Sequence, residues 1–97
     1  MADDVPMSRC LSVVIPCYNE AAHLEVCVER VLKEPIVAEV VLVDDGSTDG
    51  SLNAIERIVD PRVRVLRHSG NHGKGAALRT GFSKAVGELV IVQDADL

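Results

Sequence analysis

Four short aliphatic runs alternate with three helix-spaced stripes along this chain, and that alternation restricts it to one kind of fold. Leu11-Ser12-Val13-Val14-Ile15 is rich in β-branched residues and is closed by Pro16, while Val40-Val41-Leu42-Val43 is closed by Asp44-Asp45-Gly46. Arg62 to Arg67 is a third run, more alternating and more charged, and Leu89-Val90-Ile91-Val92 is a fourth, closed by Gln93-Asp94. Near-continuous apolar runs of this length are the pattern of strands buried on both faces. Between them, Leu24, Cys27, Val28, Val31 and Leu32 recur at helical spacing, with Asn19 placed to cap. Leu52, Ile55, Ile58 and Val59 do the same behind Ser47, Thr48 or Asp49, and Ala77, Leu78, Gly81, Phe82 and Ala85 form a third stripe. Phe82 reads as core on that stripe and Gly87 as its C′ residue. Pro35 and Pro61 punctuate the exits of the first two helices. The order β-α-β-α-β-α-β predicts an α/β fold, an open parallel sheet with helices on both faces.

Length and composition fit that reading. A chain of 97 residues is one domain at most, expected as a flexible N-terminus over 1–10 and a folded part over 11–97. Hydrophobic residues at 47% and charged residues at 26% exclude wholesale disorder. The net charge of -5 argues against a nucleic-acid binder, which needs a basic face, but not against binding a single nucleotide. Cys10, Cys17 and Cys27 are an odd number without CxxC spacing, so no disulfide framework or zinc site is expected. Free thiols point to a reducing, cytoplasmic compartment. Residues 1–9 lack the apolar core of a signal peptide, and no run approaches the ~20 apolar residues of a membrane span.

In open parallel sheets, ligands bind at the carboxyl ends of the strands, near the switch in strand order. The unusual residues of this chain fall there: Pro16-Cys17-Tyr18-Asn19-Glu20 after the first strand, Asp44 to Gly50 after the second, and Asp94-Ala95-Asp96 after the fourth. Asp94 and Asp96 are spaced to share one hard cation, and oxygen ligands suit Mg²⁺ or Mn²⁺. Taken alone, such a pair at a strand end is more often a turn or cap. Asp44-Asp45-Gly46 has the same two readings, a capping turn with a positive-φ glycine, or a carboxylate that accepts from a base N–H. Tyr18 is placed to cover a nucleobase or to pack. Asn71-His72-Gly73-Lys74-Gly75-Ala76 precedes the third helix and is glycine-rich, as phosphate loops are. It fails the P-loop pattern because Gly70 and Gly73 enclose only two residues and Gly75 follows Lys74. What remains is a glycine-flanked Lys74, either a phosphate contact or a solvated turn residue, and two histidines, His68 and His72, expected at surface or loop positions.

Taken together, Ser12 to Glu20, Val43 to Gly50, Asn71 to Ala76 and Gln93 to Leu97 resemble the successive signatures of family 2 glycosyltransferases. The branch most resembled includes dolichyl-phosphate mannose synthases and related polyprenyl-phosphate glycosyltransferases. The resemblance implies the N-terminal, nucleotide-binding half of a GT-A (Rossmann-like) fold, truncated after its fourth strand. It also implies inverting sugar transfer from a UDP- or GDP-sugar to a polyprenyl phosphate or a sugar acceptor. By position, Pro16, Tyr18 and Glu20 would line the nucleotide pocket, and Val43 and Asp45 would meet the base. Asp94, Ala95 and Asp96 match the DxD segment, where Asp94 would face ribose and diphosphate, Asp96 would hold the Mg²⁺ or Mn²⁺ with Asp94, and Lys74 would approach the phosphates. No catalytic residue falls within these residues; a base, an acceptor surface and any membrane anchor are expected beyond Leu97. The 97-residue chain is therefore expected to bind nucleotide without transferring sugar, at the cytoplasmic face of a membrane in the parent protein. An open sheet edge makes self-association an expectation too. Two other readings remain, a metal-dependent nucleotidyltransferase and a non-catalytic nucleotide-binding module. The first lacks a glycine- and arginine-rich loop after strand one. A phosphoacceptor receiver domain would need its acidic pair there instead of Pro16-Cys17-Tyr18.

Overall fold

The computed structural model describes residues 10–95, so Asp96, Leu97 and all but the last residue of the expected flexible N-terminus lie outside the described residues. The elements run β1 (Leu11–Cys17), α1 (Leu24–Leu32), β2 (Val37–Asp44), α2 (Ser51–Glu56), β3 (Val63–Arg67), α3 (Lys74–Lys84) and β4 (Leu89–Val92). The strands form one all-parallel sheet in the order β3-β2-β1-β4. The chain therefore steps outward from β1 to β3 and then returns past both to place β4 on the far side of β1. A right-handed crossover in the reverse direction needs its helix on the opposite face. Accordingly, Leu24, Cys27 and Val28 of α1 and Ile55 of α2 pack with Val13, Ile15, Val40 and Leu42, whereas Ala77 of α3 packs with Val14, Val41 and Val43. The reversal leaves a crevice between the carboxyl ends of β1 and β4.

The two inner strands carry the core: Val13, Val14, Ile15 and Val40 to Val43 are all at most 1% exposed. β4 is different. Its apolar run matches the pattern of a strand covered on both faces, yet Leu89, Val90, Ile91 and Val92 are each 40–55% exposed at the sheet edge. Hydrophobicity reports what a strand tolerates, not which neighbours cover it among the described residues.

Several local expectations are corrected. Pro16 does not end β1, which continues to Cys17 with Pro16 in register with Val43. The Val14 carbonyl accepts from Gln93 N at 3.0 Å, so Pro16, two residues on, faces the same side beyond the β4 pairing, where no amide is required. α2 stops at Glu56 instead of running on to Val59, which is 92% exposed. Its last turn tightens through Arg57 N to Ala54 O and Ile58 N to Ile55 O, and Asp60, preceding Pro61, is barred from continuing the helix. Phe82 is half exposed on α3, not core. Gly87 is no left-handed cap; a Cβ there would lie 2.5 Å from Ser12 Oγ and 2.7 Å from Cys10 O, so glycine lets the backbone close on β1.

That close approach belongs to a polar cluster that periodicity did not reveal. Ser12 and Glu39 are buried on the α3 side of the sheet, where Ser12 Oγ donates to Glu39 Oε2 at 2.6 Å. The same carboxylate oxygen accepts from Val86 N at 2.6 Å, and Ser12 Oγ accepts from Gly87 N at 2.8 Å. Arg64 stands 3.7 Å from the other Glu39 oxygen and also donates to the Lys84 carbonyl at the end of α3. The cluster clamps the α3–β4 connection to the amino-terminal edge of the sheet and so sets where β4 begins.

Candidate functional site

At the opposite, carboxyl edge, the loops after β1 and β2 are stitched to each other. Asn19 was placed to cap α1, but the helix begins after His23 without a side-chain cap, and Asn19 has another task. It adopts φ 53°, a left-handed conformation that asparagine tolerates. From there its backbone N–H donates to Ser47 Oγ at 2.9 Å and its Oδ1 accepts from Thr48 N at 2.8 Å and Asp49 N at 3.3 Å. Ala21 N donates to Asp49 Oδ2 and Glu20 N to Ser51 Oγ. Asp49 Oδ1 also accepts from Ser51 N in the first turn of α2, and its bonds from Ser51 hold its carboxyl below the usual range. These contacts fix the two loops as one wall.

The crevice they face is an open cleft of about 320 Å³. Pro16, Tyr18 and Glu20 from the first loop, Asp45 from the second, Lys74 from the start of α3, and Asp94 and Ala95 after β4 all line it. Sequence reasoning placed these seven residues at one site, and the fold brings them to one cleft from four segments. Val43 is not among the lining residues; its side chain is fully buried with Val14, Val41 and Ala77 under α3. Asp96 lies outside the described residues. Cys17, Asn71, Gly73 and Ala77 also line the cleft and were not singled out. Burial first, and the neighbouring Asp44 charge second, push the Cys17 thiol up.

The two adjacent carboxylates after β2 have different surroundings. Asp44 is buried, accepts from Ser47 N at 3.2 Å through Oδ2, and its Oδ1 meets no donor among the described residues. Asp45 is also buried but densely bonded. Its Oδ1 accepts from His68 Nδ1 at 2.7 Å and from His72 N at 3.0 Å, and its Oδ2 accepts from Gly73 N at 2.8 Å. Burial by itself raises the Asp45 pKa, but the bonds from His68, His72 and Gly73 outweigh it and hold the carboxyl below its usual range. His68 lies in the loop after β3, as expected, but it is no surface histidine. Its side chain is 15% exposed, and its other nitrogen meets Thr80 Oγ1 on α3 at 2.9 Å. With Asp45 accepting, Nδ1 is the nitrogen that donates to it, and Nε2 pairs with the Thr80 hydroxyl. A lone histidine three residues before a glycine-rich loop gave no sign of this in the sequence.

Across the cleft, Lys74 Nζ donates to Asp94 Oδ1 at 2.6 Å, both side chains being more than half exposed. The Asp94 carbonyl accepts from Cys27 Sγ at 3.5 Å and from Gln93 Nε2 at 3.1 Å, which anchors the segment to α1. Among the described residues no group of three or more His, Cys, Asp or Glu could hold a metal ion. The Asp94 carboxylate, with Asp96 two residues on in the sequence, is an oxygen donor of the kind that would suit Mg²⁺ or Mn²⁺, which complete their shells with water and substrate phosphate. It does not fit a metal that needs a closed protein cage.

The family model for glycosyl transferase family 2 matches residues 12–97. The chain belongs to that family. It is 42% identical over 93 residues to the glycosyltransferase GlyG of Streptococcus pneumoniae, covering 93% of this chain and 31% of that protein. It is 41% identical over 104 residues to the undecaprenyl-phosphate 4-deoxy-4-formamido-L-arabinose transferase of Pectobacterium atrosepticum, covering 100% of this chain and 31% of that one. Among solved structures, the Pyrobaculum calidifontis mannosyltransferase PcManGT, in complex with GDP-Man and Mn²⁺, superposes with a TM-score of 0.82 at 33% identity, over 90% of this chain and 27% of that one. Glucosyl-3-phosphoglycerate synthase of Mycobacterium tuberculosis, with Mn²⁺, UDP and glucosyl-3-phosphoglycerate, gives 0.75 at 30% identity, over 92% and 34%. The fold is accordingly the α/β, all-parallel arrangement of GT-A glycosyltransferases. The chain spans about a third of the length of the curated relatives it matches. No helix among the described residues is long and apolar enough to cross a membrane.

Proposed function

We propose that this chain binds the nucleoside diphosphate of a UDP- or GDP-sugar and forms the donor side of an inverting glycosyltransferase. The observation that carries the reading is the convergence of Pro16, Tyr18, Glu20, Asp45, Lys74, Asp94 and Ala95 on one cleft at the switch point of the sheet. Tyr18, 44% exposed at the mouth, offers a ring for the base to cover. Asp45 takes a base N–H through Oδ2, which carries one bond where Oδ1 carries two. Val43 acts there only through its backbone, since its side chain is buried. The Lys74–Asp94 pair opens on binding, Lys74 turning to the phosphates and Asp94 to the ribose and, with Asp96, to a Mg²⁺ or Mn²⁺ ion. Such an ion would offset charge on the departing diphosphate. The bound GDP-Man, UDP and Mn²⁺ of the structural neighbours support the donor class and the cation. The undecaprenyl-phosphate relative supports a polyprenyl-phosphate acceptor, met at the cytoplasmic face of a membrane.

Calorimetric titration of the chain with UDP and with GDP, with and without Mn²⁺, tests this. Metal-dependent binding of one nucleotide, abolished by Asp94→Ala or Asp96→Ala, is expected; binding indifferent to Mn²⁺ and to both substitutions would remove the cation from the reading. The 97-residue chain is expected to bind donor but transfer no sugar, and measured turnover would overturn that second part.

A further inference from the structure

We infer that His68 is a positioning residue for the phosphate end of the cleft, acting through Asp45 on the backbone of the loop that precedes Lys74. The inference rests on the nucleotide reading above but starts from a separate observation. The Asp45 carboxylate is already bonded within the fold. Two of its three bonds come from main-chain amides of that loop, His72 N at 3.0 Å and Gly73 N at 2.8 Å, and the third from His68 at 2.7 Å. A carboxylate can hold a loop only if it is itself held. The His68 ring does this, gripping Asp45 with Nδ1 and Thr80 of α3 with Nε2 at 2.9 Å. The His68 main chain is fixed as well, its N–H donating to the Asp44 carbonyl at 2.8 Å.

The consequence reaches Lys74 through geometry. Gly73 sits at φ 95°, and its carbonyl accepts from Ala77 N, so the conformation fixed by the Asp45 bond at Gly73 N is also the entry to α3. Lys74 is the first residue of that helix. The His68 ring also meets the His72 ring edge-on, with centroids 5.4 Å apart at 74°, which steadies the same loop a second time. His68 lines no part of the cleft and touches no nucleotide in this scheme. Its contribution is to pre-order donors and Lys74 so that phosphate meets them without a further ordering cost.

Three variants separate this from a general packing role. In His68→Asn the side-chain amide nitrogen stands one bond from Cγ, where Nδ1 stands, and keeps the donor to Asp45. In His68→Gln the nitrogen lies where Nε2 does and keeps only the Thr80 side. His68→Ala loses both. Amide hydrogen exchange at His72 and Gly73 is expected to rise about tenfold or more in the Ala and Gln variants, the loss of one charge-assisted bond. In the Asn variant it should stay closer to wild type, and exchange at Val13 and Val41 in the core strands should not change in any of the three. Affinity for UDP or GDP is expected to fall in the same rank order. Unchanged loop exchange in His68→Ala, an equal rise at Val13 and Val41, or Gln behaving better than Asn would overturn the inference. So would loosened loop amides with undiminished nucleotide affinity. A wild-type chain that binds neither UDP nor GDP would instead defeat the nucleotide reading, and the exchange rates would still decide what His68 holds.

Discussion

Replacing Ser12 with alanine tests the buried polar cluster most cleanly. The two side chains differ by one oxygen, so little cavity is created and the effect is nearly all polar. In the structure that oxygen has two partners, donating to Glu39 Oε2 at 2.6 Å and accepting from Gly87 N at 2.8 Å. Loss of a hydrogen bond to a charged group costs about 1.5–3 kcal/mol, and a buried N–H left without an acceptor about 1–3 kcal/mol. Glu39 keeps Val86 N as a donor, and Gly87 is only partly buried, so the lower halves of those ranges apply, together about 2.5–4 kcal/mol. Against a total of about 5–15 kcal/mol for a chain of this size, that is a large fraction. At a urea slope of about 1 kcal/mol per molar, the unfolding midpoint should fall by about 2 M or more. Far-ultraviolet circular dichroism is the suitable probe, since the chain has no Trp and its one Tyr, Tyr18, is half exposed. Glu39→Gln completes a double-mutant cycle, and the pair should be non-additive by about 0.5 kcal/mol or more. A midpoint shift below about 0.5 M, or strict additivity, would refute the view that the two side chains form one clamp on the α3–β4 connection.

Further expectations follow from the site and its walls. Because the folded Asp45 carboxyl titrates below its unfolded value, its contribution to stability is complete above about pH 4 and is lost as pH falls through the folded value; Asp45→Asn should flatten that acid limb in urea titrations, and an unchanged limb would contradict the bonding described. Gly46→Ala should destabilise by about 1 kcal/mol or more in thermal melts, since φ is +78° and a Cβ would lie 2.5 Å from the Gly70 carbonyl carbon and 2.8 Å from Asn71 N, both unyielding backbone. Lys74→Ala should leave stability within about 1 kcal/mol, because its pair with Asp94 is exposed, while affinity for UDP or GDP falls markedly. A large loss of stability with intact affinity would reverse that assignment.

How much of this was legible beforehand depends on the length scale at which each feature is encoded. The element order and the parallel sheet were readable because each inner strand satisfies its own pattern locally, as Val13 to Ile15 and Val40 to Val43 do. The cleft was readable because the rule that places ligands at strand ends converts sequence position into spatial position without further detail. What escaped was every feature set by a partner far along the chain. Asn19 looked like a cap because capping is local, yet its partners are Ser47, Thr48 and Asp49. Phe82 fitted a helical stripe, but α3 buries Ala77 and Gly81 and turns that ring outward. Glu39 is a charge inside an aliphatic run, and only the β1–β2 pairing with Ser12 in reach makes it a clamp.

The same distinction bears on function. Motifs named Asp45 as a base contact, and taken alone they describe a carboxylate waiting for a ligand. The folded chain has it already bonded to the loop before Lys74, with His68 behind it. A residue with both tasks couples the base end of the cleft to the phosphate end. A base that draws on Asp45 Oδ2 shares that oxygen with Gly73 N, so base recognition and phosphate-loop geometry are linked through one side chain. Linkage of this kind is reciprocal. A diphosphate that orders the loop should tighten binding of the attached base beyond the sum of the two parts, and Asp45→Asn should bring the affinity of UDP or GDP down toward that sum. Equal base–phosphate coupling in wild type and Asp45→Asn, measured by titrating nucleoside, pyrophosphate and nucleoside diphosphate in turn, would show that the two ends of the cleft act independently.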